Sequence, residues 1–332
     1  VTNQTTFYGE SGGQIGDIGF ISNNNSNFQV IATQKKLGDI FVHQGKLVKG
    51  KIKVKDSVNL TIDSKRRENI RAYHSATHLL HEALRRILGK HVIQKGSFVG
   101  PDKLRFDFSH MKPIEENEIK KIETYVNEMV KSKSEVRTRL MTPKEAIDNG
   151  ALALFGEKYG DEVRVLSMGN EKNKYFSTEL CGGTHVRNTS EIGDFKIISQ
   201  SAIASGVRRV EALRADQLVN YLKRKKQDLD SLSKVTLDKI KNFEREIKNL
   251  GGKPVILQNV PDNEKIKRLN KQLEQININL ILKDKNKNEI KDKTVKNLKI
   301  RFQLVKGFPS KELRSLIDQG KKDLNQGIVV VY

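Results

Sequence analysis

Apolar residues recur at intervals of three and four in several parts of the chain, a spacing that places them on one face of an α-helix. The pattern predicts helices over residues 71–88 and Glu115 to Lys131, another that opens at Pro143, and one long polar helix over 215–250. The long helix carries a narrow apolar seam, typical of a coiled coil, and it ends at Gly251-Gly252. The seam consists of Leu218, Leu222, Leu229, Leu232, Ile240, Phe243, Ile247 and Leu250.

Residues 1–65 have a different pattern, in which short apolar and polar alternations indicate β-strands. Glycines punctuate the start of this segment, as expected for turns and bulges. The alternation predicts a small glycine-punctuated β-barrel domain. Its strands are predicted at Phe28–Ile31, Ile40–His43, Lys51–Val54 and Val58–Ile62.

The remaining chain mixes helices with strands, so we assign the protein to the α+β class, with residues 66–214 as a two-layer domain. Strands are predicted there at Val163–Met168, Lys174–Ser177, Phe195–Ser199 and Val207–Leu213, with a loop at residues 170–174. Residues 215–252 are the predicted helical linker, and 253–332 the truncated start of a C-terminal β/α domain. That domain should contain a strand at Pro254–Leu257, a short basic helix, a strand at Leu298–Val305, a helix at Ser310–Leu324 and a strand at Gly327–Val331.

Charge suggests a polyanionic partner. The 332 residues contain 61 Lys+Arg and 40 Asp+Glu, a net charge of +21, and residues 221–300 hold 21 basic and 11 acidic residues, a net +10. Such a surplus favours nucleic acid, bound through its phosphates. Alternatively, the basic surplus only reflects a composition in which lysine occupies every solvated position, and it indicates no polyanionic partner.

A single cysteine excludes an intrachain disulfide and suits a reducing cytoplasm, where we expect the protein to be located. Apolar runs are only a few residues long, so no contact with a membrane is expected. Because the chain starts at Val1 and ends within an apolar run, we interpret it as a piece of a longer protein.

The strongest candidate for chemistry is the combination of His74-Ser-Ala-Thr-His78 with Cys181-Gly-Gly-Thr-His185. On a helix, residues i and i+4 share a face, so His74 and His78 can bind one ion. Three histidines and one cysteine suit tetrahedral Zn²⁺. The alternative is that each histidine is an ordinary core or surface residue. A metalloprotease is excluded, because Ser75 stands where its motif needs a glutamate.

Several further motifs carry a family resemblance. They are Phe7-Tyr-Gly-Glu-Ser-Gly-Gly-Gln-Ile-Gly-Asp17, Gln94-Lys-Gly-Ser-Phe-Val99, Leu104-Arg-Phe-Asp-Phe-Ser-His110 and Leu154-Phe-Gly-Glu-Lys-Tyr159. Together with the two histidine motifs, they resemble the editing domain of alanyl-tRNA synthetase and the segment that precedes it. The resemblance covers about residues 1–214, and the rest is similar to that family only in the order and pattern of its elements.

The resemblance implies that the chain hydrolyses the ester bond of tRNA(Ala) wrongly charged with serine or glycine, with one Zn²⁺ held by the residues matching His74, His78, Cys181 and His185. Cys181 is expected to be the loosest ligand, with a part in catalysis. We expect no aminoacylation, because no segment resembles the core that would bind ATP and Mg²⁺. A homodimer through the C-terminal region is also compatible with the resemblance.

Beyond the ligands, we single out Thr77 and Gln94 as candidate catalytic contacts to the substrate amine or to a water. Ser97 is a candidate substrate contact, and Arg208 and Arg209 are candidates for tRNA phosphates. The alternatives are a helix-surface hydroxyl for Thr77, a loop amide for Gln94 and a strand salt bridge for the two arginines.

Three other functions compete with this interpretation. A free-standing deacylase that acts in trans shares the motifs, and the editing domain of threonyl-tRNA synthetase has a similar metal set. The glycine motif and Arg105-Phe-Asp-Phe108 fit the alanyl family better. A non-catalytic tRNA-binding module with a structural zinc is the third.

Overall fold

The computed structural model describes residues 1–38, 40–152, 160–171, 174–257, 260–284 and 287–332. The chain forms two compact units, Val1–Lys223 and Arg224–Tyr332. Both mix helices with strands, in agreement with the predicted mixture of α and β structure. The predicted division into four domains stays a prediction. The motif Leu154–Tyr159 and the centre of the predicted 170–174 loop lie outside the described residues.

The first unit contains eleven described strands and three helices before the long helix begins. They are β1 (Gly19–Asn23), β2 (Ser26–Lys36), β3 (Ile40–Lys49), β4 (Asn59–Ile62), α1 (Ser64–Leu88), β5 (Gln94–Val99), β6 (Leu104–Ser109), α2 (Glu116–Lys131), β7 (Arg137–Met141), α3 (Pro143–Asp148), β8 (Val163–Glu171), β9 (Lys174–Leu180), β10 (Phe195–Ala204), β11 (Val207–Arg214) and α4 (Ala215–Asn249).

The N-terminal strands form an open antiparallel sheet in the order β3-β2-β1-β4, so the predicted closed barrel is wrong for the described residues. A barrel needs pairing at both edges of every strand, and β4, only four residues long, pairs with β1 alone. The predicted strand Lys51–Val54 is also wrong. Its lysines alternate with Ile52 and Val54, which both stay exposed, so the segment covers no core.

Helix α1 is the centre of the first unit. It begins at Ser64, seven residues before the predicted start, because the side chain of Asp63 accepts a hydrogen bond from the Arg66 backbone N–H and caps the helix. Its apolar face packs on α2 and on the antiparallel sheet β10-β11-β6-β5. That core includes Leu79, Leu80, Leu84, Phe106, Phe108, Ile122, Val126 and Val210.

A third antiparallel sheet, in the order β7-β8-β9, brings residues that follow α1 by about a hundred positions back to that helix. Strand β8 pairs with β9, and the Cys181 N–H just beyond β9 donates to the Arg164 carbonyl at 3.0 Å. Strand β9 packs against α1. Residues more than a hundred positions apart therefore come together at this junction. The loop predicted at residues 170–174 is wrong at the positions that the structure describes. Strand β8 extends to Glu171, and β9 starts at Lys174.

The second unit contains the rest of α4, α5 (Asp262–Lys283), β12 (Asn288–Val295), β13 (Leu298–Val305), α6 (Leu313–Leu324) and β14 (Ile328–Val331). Strand β13 pairs antiparallel with β12 and parallel with β14. Residues 254–257 form no strand, contrary to prediction, and Ile256 is exposed. No described helix is long and apolar enough to cross a bilayer.

Candidate metal centre

The four predicted ligands lie together in the first unit. His74 and His78 lie one turn apart on α1, and Cys181 and His185 lie in the turn that follows β9. One donor atom from each lies within 4.8 Å of the others. Cys181 Sγ is 3.2 Å from His185 Nε2 and 3.5 Å from His74 Nε2. The three histidines are buried and the cysteine is half-buried, so these residues could hold one metal ion.

A glycine allows the turn that carries Cys181 and His185 to approach the His74 side chain of α1 closely. A Cβ on Gly183 would overlap the imidazole ring of His74, whereas a Cβ on Gly182 would meet nothing within 4 Å. The first glycine of the turn therefore gives only flexibility, and the second lets the turn pack directly on α1.

The Nδ1 atom of each of the three histidines lies beside an oxygen that can accept a hydrogen bond from it. His74 Nδ1 lies 2.7 Å from Gln14 Oε1, His78 Nδ1 2.9 Å from Glu179 Oε2, and His185 Nδ1 3.3 Å from Ser75 Oγ. Such outer contacts fix the tautomer and leave Nε2 with its lone pair. His78 Nε2 is buried and has no hydrogen-bond partner among the described residues. The arrangement therefore fits a cation bound by the Nε2 atoms and the sulfur.

The electrostatics at two of the four residues, Cys181 and His185, favour the protonation states that a metal needs. Burial would raise the pKa of the Cys181 thiol, but the neighbouring imidazoles, first that of His74, lower it well below its ordinary value. Burial, reinforced by His74, lowers the pKa of His185 to about 3. A thiolate beside a neutral imidazole is therefore available at neutral pH.

Glu179 is the anionic partner of the centre. Burial works against its charge, yet His78 and His81 lower the pKa of its carboxyl group below the ordinary value. In turn, the pKa of His78 is raised to about 10, against the effect of burial, by Glu179 and Cys181. His81 Nδ1 lies 3.3 Å from the same carboxylate oxygen, and Ser177 Oγ donates to the other oxygen at 3.1 Å.

A cavity of about 330 Å³ reaches the candidate metal centre. The predicted contacts Thr77, Gln94 and Ser97 all line it, beside His74, His78 and Cys181. Thr77 Oγ1 donates to the Tyr73 carbonyl at 2.8 Å, so its own proton is engaged and its lone pairs remain. Gln94 Nε2 lies 3.4 Å from Ser97 Oγ. The structure thus brings three of the predicted non-ligand residues to one cavity.

Arg208 and Arg209 do not line this cavity. The guanidinium of Arg209 donates to both carboxylate oxygens of Asp107, at 2.6 and 2.8 Å, which is the strand salt bridge considered as an alternative. Arg208 donates to Gln200 Oε1 at 3.4 Å.

Sequence reasoning missed the residues that surround the ligands. Gln14, Glu179 and His81 were not predicted, although the i, i+4, i+7 spacing of His74, His78 and His81 on one helix face was a signal for the last. The opposite wall of the cavity comes from the N-terminal sheet and the segment before it. It includes Tyr8, Gly9, Ser11, Gly12, Lys35 and Phe41.

Two family models match parts of the chain. The family model described as "Threonyl and Alanyl tRNA synthetase second additional domain" matches residues 163–211, which include Cys181 and His185. The model described as "tRNA synthetases class II (A)" matches residues 1–66.

Three relatives named alanine–tRNA ligase align with nearly the whole chain. The protein from Parvibaculum lavamentivorans is 46% identical over 100% of this chain, that from Chelativorans sp. (strain BNC1) 44% over 99%, and that from Bradyrhizobium diazoefficiens 42% over 100%. The chain spans only 36 to 37% of the length of these relatives. The resemblance predicted from the motifs is confirmed: the chain is homologous, over its whole length, to a segment of the alanine–tRNA ligases.

Proposed function

We propose that the chain removes serine or glycine from wrongly charged tRNA(Ala) by hydrolysing the aminoacyl ester in the cavity at the metal centre. The observation that carries the proposal is the convergence of His74, His78, Cys181 and His185, three of which, His74, His78 and Cys181, line a cavity of about 330 Å³. The homology to alanine–tRNA ligases supports the choice of tRNA(Ala) as substrate.

The donor set fits one Zn²⁺ per chain, held by these four residues, because imidazole nitrogen and thiolate sulfur are the ligands that Zn²⁺ prefers. When bound, Zn²⁺ supplies a Lewis acid that can anchor or polarise the aminoacyl end of the substrate or a water. Gln14, Glu179 and Ser75 hold the three imidazoles in the orientation that this needs.

Two further residues contact the substrate in this proposal. Since the Thr77 hydroxyl already donates to the Tyr73 carbonyl, its oxygen is free to accept a hydrogen bond from the substrate amine or a water. The Gln94 carboxamide can donate to the ester carbonyl or hold a water, and Ser97 lies beside it. Cys181, half-buried at the cavity, is the ligand best placed to loosen during the reaction.

The need for such a site follows from the size of the amino acids. A pocket for alanine gains only about 1–3 kcal/mol over glycine from one methyl group, and it rejects an added hydroxyl by only about 10². Binding alone therefore leaves errors that a second site must remove.

For the whole protein, we propose the ATP- and Mg²⁺-dependent attachment of alanine to tRNA(Ala) in the cytoplasm, by a catalytic domain outside this chain. We also propose that the protein forms a homodimer through its C-terminal region. Arg208 and Arg209 remain candidates for contacts to tRNA phosphates. To bind a phosphate, Arg209 must first release its salt bridge with Asp107.

The test is hydrolysis of seryl-tRNA(Ala) by the zinc-loaded chain, with alanyl-tRNA(Ala) as the spared substrate. We expect rapid loss of serine and a fall of at least about 10²-fold in Cys181→Ala, the size of effect typical for loss of a key catalytic group. His110→Ala, a histidine outside the centre, is the control. A folded, zinc-containing chain that leaves seryl-tRNA intact would contradict the proposal.

A second candidate, a non-catalytic tRNA-binding module, is favoured by one observation: four protein donors can close the shell of Zn²⁺, as in structural sites. Removal of zinc with a chelator distinguishes the hydrolase from the tRNA-binding module. A structural metal gives unfolding when it is removed, whereas an editing metal gives lost hydrolysis with a largely intact fold.

A further inference from the structure

The turn that carries Cys181 and His185 is held by an arginine that is not one of the candidate ligands. Arg164 lies on β8, and its Nη1 atom donates to the carbonyl oxygens of Gly183 and, at 3.4 Å, of Cys181. The main chain of the same residue contributes as well, because its carbonyl accepts from the Cys181 N–H at 3.0 Å. Arg164 therefore binds the turn through both its side chain and its backbone.

The peptide unit between Gly183 and Thr184 is bound at both of its ends. Its carbonyl oxygen accepts from Arg164, and its N–H donates to Gln14 Oε1 at 2.9 Å. In a trans peptide these two groups point in opposite directions, so the two contacts together fix the orientation of the peptide plane. The same Gln14 oxygen lies 2.7 Å from His74 Nδ1. One chain of contacts thus connects Arg164 to a candidate ligand on α1.

The orientation of the turn also determines which backbone group lies beside the sulfur. The Gly183 N–H donates to Cys181 Sγ at 3.4 Å. A hydrogen bond of this kind stabilises a thiolate, which is the form of cysteine that binds a metal. A carbonyl oxygen in the same place would repel it. Because the guanidinium of Arg164 holds the carbonyls of Cys181 and Gly183, the turn keeps an N–H, and not an oxygen, at the sulfur.

The charge of the arginine strengthens the whole chain of contacts. Hydrogen bonds from an ionised donor are roughly twice as strong as those between neutral groups. Arg164 is half-buried, and away from water one hydrogen bond polarises the next along a chain. The Thr184 N–H is therefore a better donor to Gln14 while its own peptide carbonyl is bound by the guanidinium.

We propose that Arg164 is a positioning residue of the candidate metal centre. Its guanidinium sets the orientation of the Cys181–Gly183 turn, and through the turn it sets the approach of Cys181 and His185 to the histidines of α1. Arg164 supplies none of the four donor atoms and does not line the cavity, so it acts only through other residues. The inference rests on the proposed function for the presence of the metal, and it involves neither tRNA nor hydrolysis.

The test measures the zinc affinity of the chain by competition with a chelator. Arg164→Met keeps an unbranched stem and removes every donor, and it should weaken zinc binding by about 10–100-fold, the usual cost of losing a group that supports a ligand. Arg139→Met is the matched control. Arg139 is exposed and pairs with Val165, the neighbour of Arg164, so its side chain lies on the other face of the same sheet. This variant should bind zinc like the wild type.

Cobalt in place of zinc gives a readout that a loss of stability alone would not change. The charge-transfer band from a thiolate to Co²⁺ reports the bond to Cys181. In cobalt-saturated Arg164→Met this band should shift or weaken, because the turn no longer holds the sulfur in place. It should be unchanged in Arg139→Met. Arg164→Lys, which keeps a cationic donor at the position, should recover part of the band and part of the zinc affinity.

Gln14 and Arg164 hold the same peptide, so their effects on zinc binding should not be independent. Gln14→Leu alone should weaken zinc binding by about 10–100-fold. When it is combined with Arg164→Met, the loss should be smaller than the product of the two single losses by about 2-fold or more, as for residues of one hydrogen-bond network. Gln14→Leu combined with Arg139→Met should give the product.

Unchanged zinc affinity and an unchanged cobalt band in Arg164→Met would overturn the proposal. So would equal losses in Arg164→Met and Arg139→Met, because they would show that only the net charge of the chain matters. Thermal unfolding checks that each variant is folded. If Arg164→Met is not, Arg164→Gln, whose side chain is polar but shorter, takes its place with the same expected losses.

These outcomes are distinct from failure of the proposed function. If Arg164→Met loses zinc affinity and the wild type leaves seryl-tRNA intact, the positioning role stands and the hydrolysis does not. If the wild type hydrolyses seryl-tRNA and Arg164→Met binds zinc and cobalt as the wild type does, only the role of Arg164 is wrong. A wild type that binds neither metal would overturn both.

Discussion

At the scale of single residues, the candidate centre depends on oxygen atoms from three distant places in the chain. Gln14 precedes the first sheet, Ser75 lies on α1 between two ligands, and Glu179 lies on β9. Each lies within hydrogen-bond distance of one of the three candidate ligand imidazoles, and Glu179 also lies beside His81. Substitutions of such residues typically cost about 10–100-fold in metal affinity, so they matter nearly as much as the ligands.

The Glu179–His78 pair gives a pH prediction for the metal-free protein. The folded pKa of Glu179 is below its ordinary 4.5, so its contribution to stability is present above pH 4.5 and is lost as the pH falls further. The folded pKa of His78 is raised from 6.5 to about 10, so its contribution is complete below pH 6.5 and is lost as the pH rises towards 10. The pair should therefore stabilise most between about pH 4.5 and 6.5.

We expect the difference in unfolding free energy between wild type and Glu179→Gln to be largest in that window and to shrink on both sides. Urea unfolding of the metal-free proteins at pH 3.5, 5.5 and 9 measures it. Glu162→Gln, at an exposed position, is the control and should show no such maximum. A difference that stays constant with pH would contradict the coupling.

The ligands could be predicted from sequence and their supports could not, for a physical reason. His74 and His78 are related by one helical turn, and Cys181 and His185 have the same spacing. Gln14 contacts His74 across 60 positions, and Phe41 reaches the cavity only because β2 and β3 pair and Gly9 packs on them. Contacts between residues so far apart leave no periodic pattern in the sequence from which they could be predicted.

At the scale of elements, periodicity gave the helices more accurately than the strands. The helix at Glu115–Lys131 was predicted to within one residue of α2, because its apolar stripe and polar face are clear. Strands β5 and β6 were recognised only as motifs, although Leu104, Phe106 and Phe108 alternate with polar residues and are buried. Barrel closure was predicted from strand spacing alone, which contains no information about which edges pair.

The turn between β9 and His185 supports a second prediction. Gly183→Ala should push the turn away from the His74 ring, destabilise the protein by about 1–3 kcal/mol, as overpacking of a tight site does, and weaken zinc binding. Urea unfolding and competition with a chelator measure the two effects. The neighbouring Gly182→Ala meets no atom within 4 Å and should change either quantity little. Equal effects of the two alanines would show that turn flexibility, not the contact with His74, is what matters.

At the scale of the whole molecule, the net charge of +21 and its concentration in residues 221–300 favour a long-range attraction to tRNA. The run Lys223-Arg224-Lys225-Lys226 is exposed on α4. Such charges act by releasing counterions from phosphates, which makes binding depend on salt.

Changing these four residues to glutamine should weaken tRNA binding and reduce the steepness of log affinity against log salt by up to about 3.6, at about 0.7–0.9 for each lost phosphate contact. Filter binding between 50 and 200 mM KCl, taken as about the range in which such slopes are measured, tests it. The control removes Lys120, Lys121, Lys131 and Lys133, on and beside α2. If both sets change the slope equally, the basic surplus reflects composition and not a tRNA surface.

The distance between the two halves of the metal centre has a consequence for synthesis of the protein. Cys181 follows His74 by 107 residues, and at about 5–20 residues per second a ribosome needs about 5 to 20 s to make the segment between them. During that time only two of the four candidate ligands, the imidazoles of His74 and His78 on α1, have been made, and two imidazoles bind a metal weakly. A metal held by all four residues, as proposed, could bind stably only after β9 has been made and has paired, so its acquisition would mark the completion of this unit rather than begin its folding.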